Sequence, residues 1–135
     1  MAEGTNNRQF TANKVIRIPT TSLEGRFFRC WLEFLRPIHK LTDREIEVVE
    51  LFLKKRHELS KKVTDEELLD KVVMGEDIKK EIREALGITL AHFQVIMSKL
   101  RKNKVIENNK LNPFYIPRLS KDKNTFYLLL YFPLE

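Results

Sequence analysis

Residues Leu86 to Ile106, LGITLAHFQVIMSKLRKNKVI, decide how the chain is read. Leu86-Gly87-Ile88-Thr89 joins the end of one helix to the start of another, because glycine accepts positive φ and the threonine hydroxyl can cap the second helix. Phe93, Ile96, Met97 and Leu100 then recur at helical spacing and define one apolar face. Lys99, Arg101, Lys102 and Lys104 make the far end basic, and Val105-Ile106 turns apolar again. The pattern is that of two short helices crossing at a tight turn, the second one ending in cations.

Upstream, the segment from Glu76 to Leu86 places Ile78, Ile82 and Leu86 four residues apart, which reads as the first of those two helices. Further back, Thr42-Asp43-Arg44-Glu45 is a capping box, with Leu41 and Ile46 at the positions of a hydrophobic staple. Ile46, Val49, Phe52 and Leu53 carry the buried face of that helix to about Ser60. The same device is expected at Thr64-Asp65-Glu66-Glu67, stapled by Val63 and Leu68, for a helix stopping at Gly75. Ser22 to Arg36 reads as a Trp- and Phe-rich helix, ended or kinked by Pro37. Lys14 to Ile18 suits a short strand, and residues 1–13 suit a flexible tail.

Downstream, Leu111 to Ile116 and Phe126 to Phe132 are rich in β-forming residues, and the basic loop Pro117 to Asn124 separates them as a hairpin would require. The seven apolar or aromatic residues from Phe126 to Phe132 require cover on both faces, from the Phe27/Trp31 helix or from a partner subunit. The expected fold is therefore mainly α with a C-terminal β-hairpin, one domain over residues 14–135.

Composition narrows the function classes. A 135-residue chain with 42% apolar and 33% charged residues can bury a working core without staples. One cysteine, Cys30, allows no disulfide within the chain and suits a reducing compartment. Neither a secretory h-region nor a membrane-length apolar run is present, so a cytoplasmic setting is expected. The net charge is +6 and it is segregated. From Asp65 to Glu84 there are eight acidic and four basic residues, whereas Met97 to Asn124 holds eight basic and two acidic. A basic surface beside an acidic one suits a nucleic-acid partner, and equally a solvated lysine face. Dispersed histidines (His39, His57, His92) and the absence of nucleophile or phosphate-loop motifs point away from metal, cofactor and enzyme chemistry.

Helix, glycine turn, basic helix and hairpin, in that order, resembles the winged helix-turn-helix superfamily over about residues 77–132. The local sequence is similar too: Leu-Gly-Ile-Thr at the turn, apolar positions at Phe93, Ile96, Met97 and Leu100, and a charged exit before Val105-Ile106. With its Trp/Phe-rich N-terminal helix, the chain looks like the small winged-helix proteins common in tailed-phage genomes. Leu41 to Val49 is also similar to the first helix of response-regulator transcription factors, a likeness that shared capping chemistry explains. The winged-helix resemblance implies a double-stranded DNA partner and a role in transcription regulation, in a bacterial or phage-infected cell. The second helix, about residues 89–104, would lie in the major groove.

On that mapping His92 and Gln94 are the candidate base contacts, Gln94 being able to take adenine bidentately. Thr89, Ser98, Lys99, Lys102, Lys104, Lys110, Arg118, Lys121 and Lys123 are the candidate phosphate contacts. Leu90, Ala91 and Val95, also outward on this mapping, offer only apolar contact, which weakens base reading and equally suits a protein partner. Leu90, Val95, Phe27, Trp31, Phe126, Leu128 and Leu130 are thus candidates for a protein interface, in a homodimer or with a partner subunit. The alternative function is docking within a larger assembly, such as a polymerase complex or a phage particle.

Overall fold

Thr42 starts the longest helix, α3 (Asp43–Ser60). Its hydroxyl accepts the Glu45 N–H at 3.3 Å while the Glu45 carboxylate accepts the Thr42 N–H at 2.9 Å, so the capping box is closed in both directions. Ile46, Val48, Val49, Phe52 and Leu53 are buried along it, and three other helices pack against this rod. The computed structural model describes residues 14–17, 26–119, 126 and 128–134.

Within those residues the architecture is mainly helical, with one small antiparallel hairpin near the C-terminus. Before α3 come α1 (Phe27–Phe34) and the single-turn α2 (Arg36–His39). After it come α4 (Glu66–Val73), α5 (Glu76–Ala85) and α6 (Leu90–Lys102), then β1 (Ile106–Glu107) and β2 (Lys110–Leu111), and a 3-10 turn at Pro113–Tyr115. Helices α1, α4 and α5 contact α3, and β2 contacts α4. One continuous core results: Phe28 and Leu32 from α1, Leu69 and Val73 from α4, Ile78 and Ile82 from α5, the four apolar positions of α6, and Val105, Ile106, Leu111 and Tyr115 beyond. Among the described residues no helix is long and apolar enough to cross a membrane.

Several local expectations are corrected. The helix does break next to Pro37, at Leu35 between α1 and α2, and Pro37 itself sits in the first turn of α2, where a missing N–H costs nothing. The second cap is not a Thr64 box. Asp65 is the cap residue, its carboxylate accepting the Glu67 N–H at 3.0 Å, and Leu68 of the expected staple is exposed. Lys14 to Arg17 form no strand, and Ile18 lies outside the described residues, as do residues 1–13, 22–25 and the loop lysines Lys121 and Lys123.

The hairpin is the largest correction. It joins residues 106–107 to 110–111, pairing Ile106 with Leu111 and Glu107 with Lys110. Asn108 and Asn109 both take positive φ, 54° and 58°, the two-residue turn geometry whose twist matches antiparallel strands. Beyond Leu111, Pro113 has no N–H for a ladder, and Asn112 caps the 3-10 turn by accepting the Phe114 N–H at 3.0 Å. The described residues between Phe126 and Phe132 are not in a strand. Phe27 and Trp31 cover Phe126, while Leu128 to Phe132 are exposed.

Candidate nucleic-acid interface

Helix α5 ends in a Schellman motif: the Ile88 N–H donates to the Arg83 carbonyl at 3.0 Å and the Gly87 N–H to Glu84 at 3.2 Å. Gly87 holds the left-handed position with φ of 63°, and a Cβ there would meet nothing within 4 Å. Gly87→Ala therefore tests the backbone term without a clash. It is expected to lower stability by about 1–2 kcal/mol in urea unfolding, the cost of a left-handed L-residue.

Two further bonds fix the turn in space. Arg44, in the first turn of α3, donates to the Leu86 carbonyl at 2.6 Å and pairs with Glu47 at 2.8 Å. Thr89 then starts α6 by accepting the His92 N–H at 3.2 Å. That bond uses the oxygen as acceptor and leaves the hydroxyl proton able to donate outward. Phe93, Ile96, Met97 and Leu100 face the core, so Leu90, Ala91, His92, Gln94, Val95, Ser98 and Lys102 are turned to solvent. Lys99 is half-buried, with Arg101 and Lys102 exposed beside it. Leu90 and Val95 are 55% and 66% exposed, the largest apolar side chains on that outer face.

Helix α6 closes with a second Schellman motif: Val105 N–H to Leu100 at 2.9 Å and Lys104 N–H to Arg101 at 3.1 Å. Here the left-handed residue is Lys104, with φ of 62°. Glycine is the easier residue in that conformation, so Lys104→Gly is expected to raise stability by roughly 1 kcal/mol while removing one cation. Thermal unfolding and a salt titration of DNA binding on the same variant separate the two effects. Asn103, the last-turn cap, donates through Nδ2 to the His39 carbonyl at 2.8 Å, and Asn112 donates to the Lys104 carbonyl at 2.8 Å. The basic end of α6 is thus held from both sides.

Not every expected phosphate contact is equally placed. Lys104 approaches Glu107 at 3.7 Å, and Lys110 faces Glu107 across the hairpin. Arg118 approaches Glu66 of α4 at 3.6 Å. Both ion pairs are exposed and weak, so a phosphate can replace the carboxylate. The residues that sequence reasoning missed are Asn108 and Asn109, which form the exposed hairpin tip. Their signal was two consecutive Asn between apolar runs.

The proposed interface residues divide. Phe27 and Trp31 meet the Phe126 ring edge-on at 5.4 and 5.3 Å, and the Trp31 indole donates to the Tyr115 carbonyl at 2.8 Å. The two α1 rings thus pack on Phe126 within the chain, and all three stay partly exposed. Leu128 and Leu130 remain outward. Among the described residues no group of three or more His, Cys, Asp and Glu is placed to hold a metal ion. No protein-family model, no curated protein and no solved structure matches the chain.

Proposed function

We propose that the chain binds double-stranded DNA as a winged helix-turn-helix protein and acts in transcription regulation. The observation that carries this is the rigid unit from Arg83 to Leu111: two helices locked at the Gly87 turn, a helix end bearing Lys99, Arg101, Lys102 and Lys104, and a tight hairpin directly after it. In this reading α6 enters the major groove, with Gln94 and His92 toward base edges. Thr89, Ser98 and the lysines of the helix end contact phosphates, and the hairpin tip at Asn108-Asn109 lies beside the backbone.

A second reading, docking in a larger protein assembly, is favoured by one observation: Leu90 and Val95 stand exposed where sequence readers carry polar side chains. Titration of labelled duplex DNA by fluorescence anisotropy separates the two. With about six phosphate contacts, affinity should fall roughly a thousandfold between about 50 and about 200 mM salt, a log–log slope near −5. Absent or salt-insensitive binding overturns the DNA reading and leaves the docking one.

A further inference from the structure

The seven residues before Pro133 read Phe126-Tyr127-Leu128-Leu129-Leu130-Tyr131-Phe132, a palindrome centred on Leu129. Its described residues leave Leu128 47%, Leu129 57%, Leu130 57%, Tyr131 66% and Phe132 73% exposed, and Leu134 is 91% exposed. No charged side chain interrupts the run from Phe126 to Leu134. A run of this length, apolar and without a gatekeeper charge, is not left in water by a stable lone chain.

We propose that this segment is the self-association surface of the protein, pairing antiparallel with the same segment of a second copy about a twofold axis at Leu129. Three observations select a second copy. First, the palindrome: antiparallel pairing about Leu129 sets Phe126 against Phe132, Leu128 against Leu130 and Leu129 against itself. An isologous contact requires each such pair to occur twice, and like aromatic and aliphatic pairs are favourable across strands. Second, area: the five side chains from Leu128 to Phe132 offer at most on the order of 600 Å² per copy, the lower end of what a specific interface buries per partner. Third, continuity: Phe126 already rests on Phe27 and Trp31 at 5.4 and 5.3 Å. Phe132 of the second copy, set opposite Phe126, extends that aromatic cluster. Pro133 then ends the pairing, since it has no N–H to donate. The proposal stands whether or not the chain binds DNA.

Sedimentation and light scattering of the full chain, over a wide concentration range, should give twice the 16.1 kDa chain mass at the higher concentrations. Leu129→Lys places two like charges opposite each other on the axis and should return the mass to that of one chain. Leu129→Glu should do the same. Mixing the two variants should restore a dimer, because lysine then faces glutamate. That rescue depends on the Leu129 register and would not arise from general loss of an apolar side chain. The helical circular dichroism of each variant should match the parent, since Leu129 lies outside the core and outside every helix. A chain that is monomeric at all concentrations overturns the proposal. So does a dimer that survives Leu129→Lys, or one that the mixture fails to restore. Binding of the monomer to lipid vesicles, lost in both variants, would also overturn it by assigning the segment to a membrane surface.

Discussion

If the chain binds duplex DNA as proposed, alanine at both Lys99 and Lys102 is expected to lower that affinity roughly sixty-fold near 0.1 M salt, whatever the sequence. The magnitude comes from counterion release: each neutralised phosphate contributes about 0.9 to the log–log slope, so moving from 1 M to 0.1 M salt gains about 0.9 log units per phosphate. Without two of its lysines the protein would forfeit a little under two log units of affinity, and the slope would flatten from about −5.4 to about −3.6. The fold should tolerate the change. Lys102 is exposed and Lys99 only half-buried, and the apolar face of α6 that holds the helix is untouched. Gln94→Ala should behave differently, leaving the slope alone and relaxing preference at one base pair by about 1–3 kcal/mol. Selection from a random DNA pool reads this directly. If parent and Gln94→Ala recover the same unbiased pool, α6 holds DNA by charge alone.

The parts of this fold that are legible in the sequence are those fixed by residues three or four apart. The Thr42–Glu45 box, the Gly87 turn, the Thr89 cap and the inward face of α6 all close within one helical turn, so their side chains announce them. Composition misplaces the hairpin because strand preference reflects packing on a half-buried surface more than any backbone demand. Phe126 to Phe132 has the composition of a strand but no strand pairing among the described residues, whereas Ile106 to Leu111 has a tight Asn-Asn turn and a core beneath it. The bonds that orient the candidate interface are invisible in sequence for another reason. Arg44 reaches Leu86 across 42 residues, and Asn103 reaches His39 across 64. No local pattern encodes either. The charge segregation is legible, but its partial neutralisation through Arg118–Glu66 and Lys104–Glu107 emerges only from the folded chain.

Replacing His39 by alanine is expected to cost about 3 kcal/mol, although the residue belongs to neither α6 nor the hairpin. His39 is 1% exposed and is the buried polar residue in a core otherwise apolar among the described residues. Its Nε2 lies 2.8 Å from the Leu32 carbonyl, and its Nδ1 accepts the Leu41 N–H at 3.0 Å. The ring is therefore neutral with the proton on Nε2, and it closes the chain reversal from α1 into α3. Alanine leaves a buried carbonyl and a buried N–H without this partner, and a cavity besides; each unmet group costs about 1–3 kcal/mol and the cavity adds to it. Because Asn103 caps α6 against the His39 carbonyl, the basic helix end should loosen with it, visible as faster amide exchange at Lys104 and Val105. Acid should act on the same ring. Burial, helped by the nearby Arg36 charge, holds the His39 pKa below its ordinary 6.5, against the opposing pull of the Leu32 carbonyl. The unfolded chain takes up a proton below about pH 6.5 while the folded one resists, so the His39 contribution is complete above that pH. It is lost as pH falls, by up to about 1.4 kcal/mol per pH unit, until the folded ring also protonates. His39→Gln can keep the bond to Leu32 but cannot titrate. Urea unfolding followed by Trp31 fluorescence, at about pH 7.5 and about pH 5.5, should show a smaller acid loss in that variant than in the parent. An equal loss in both would place the acid sensitivity elsewhere in the chain.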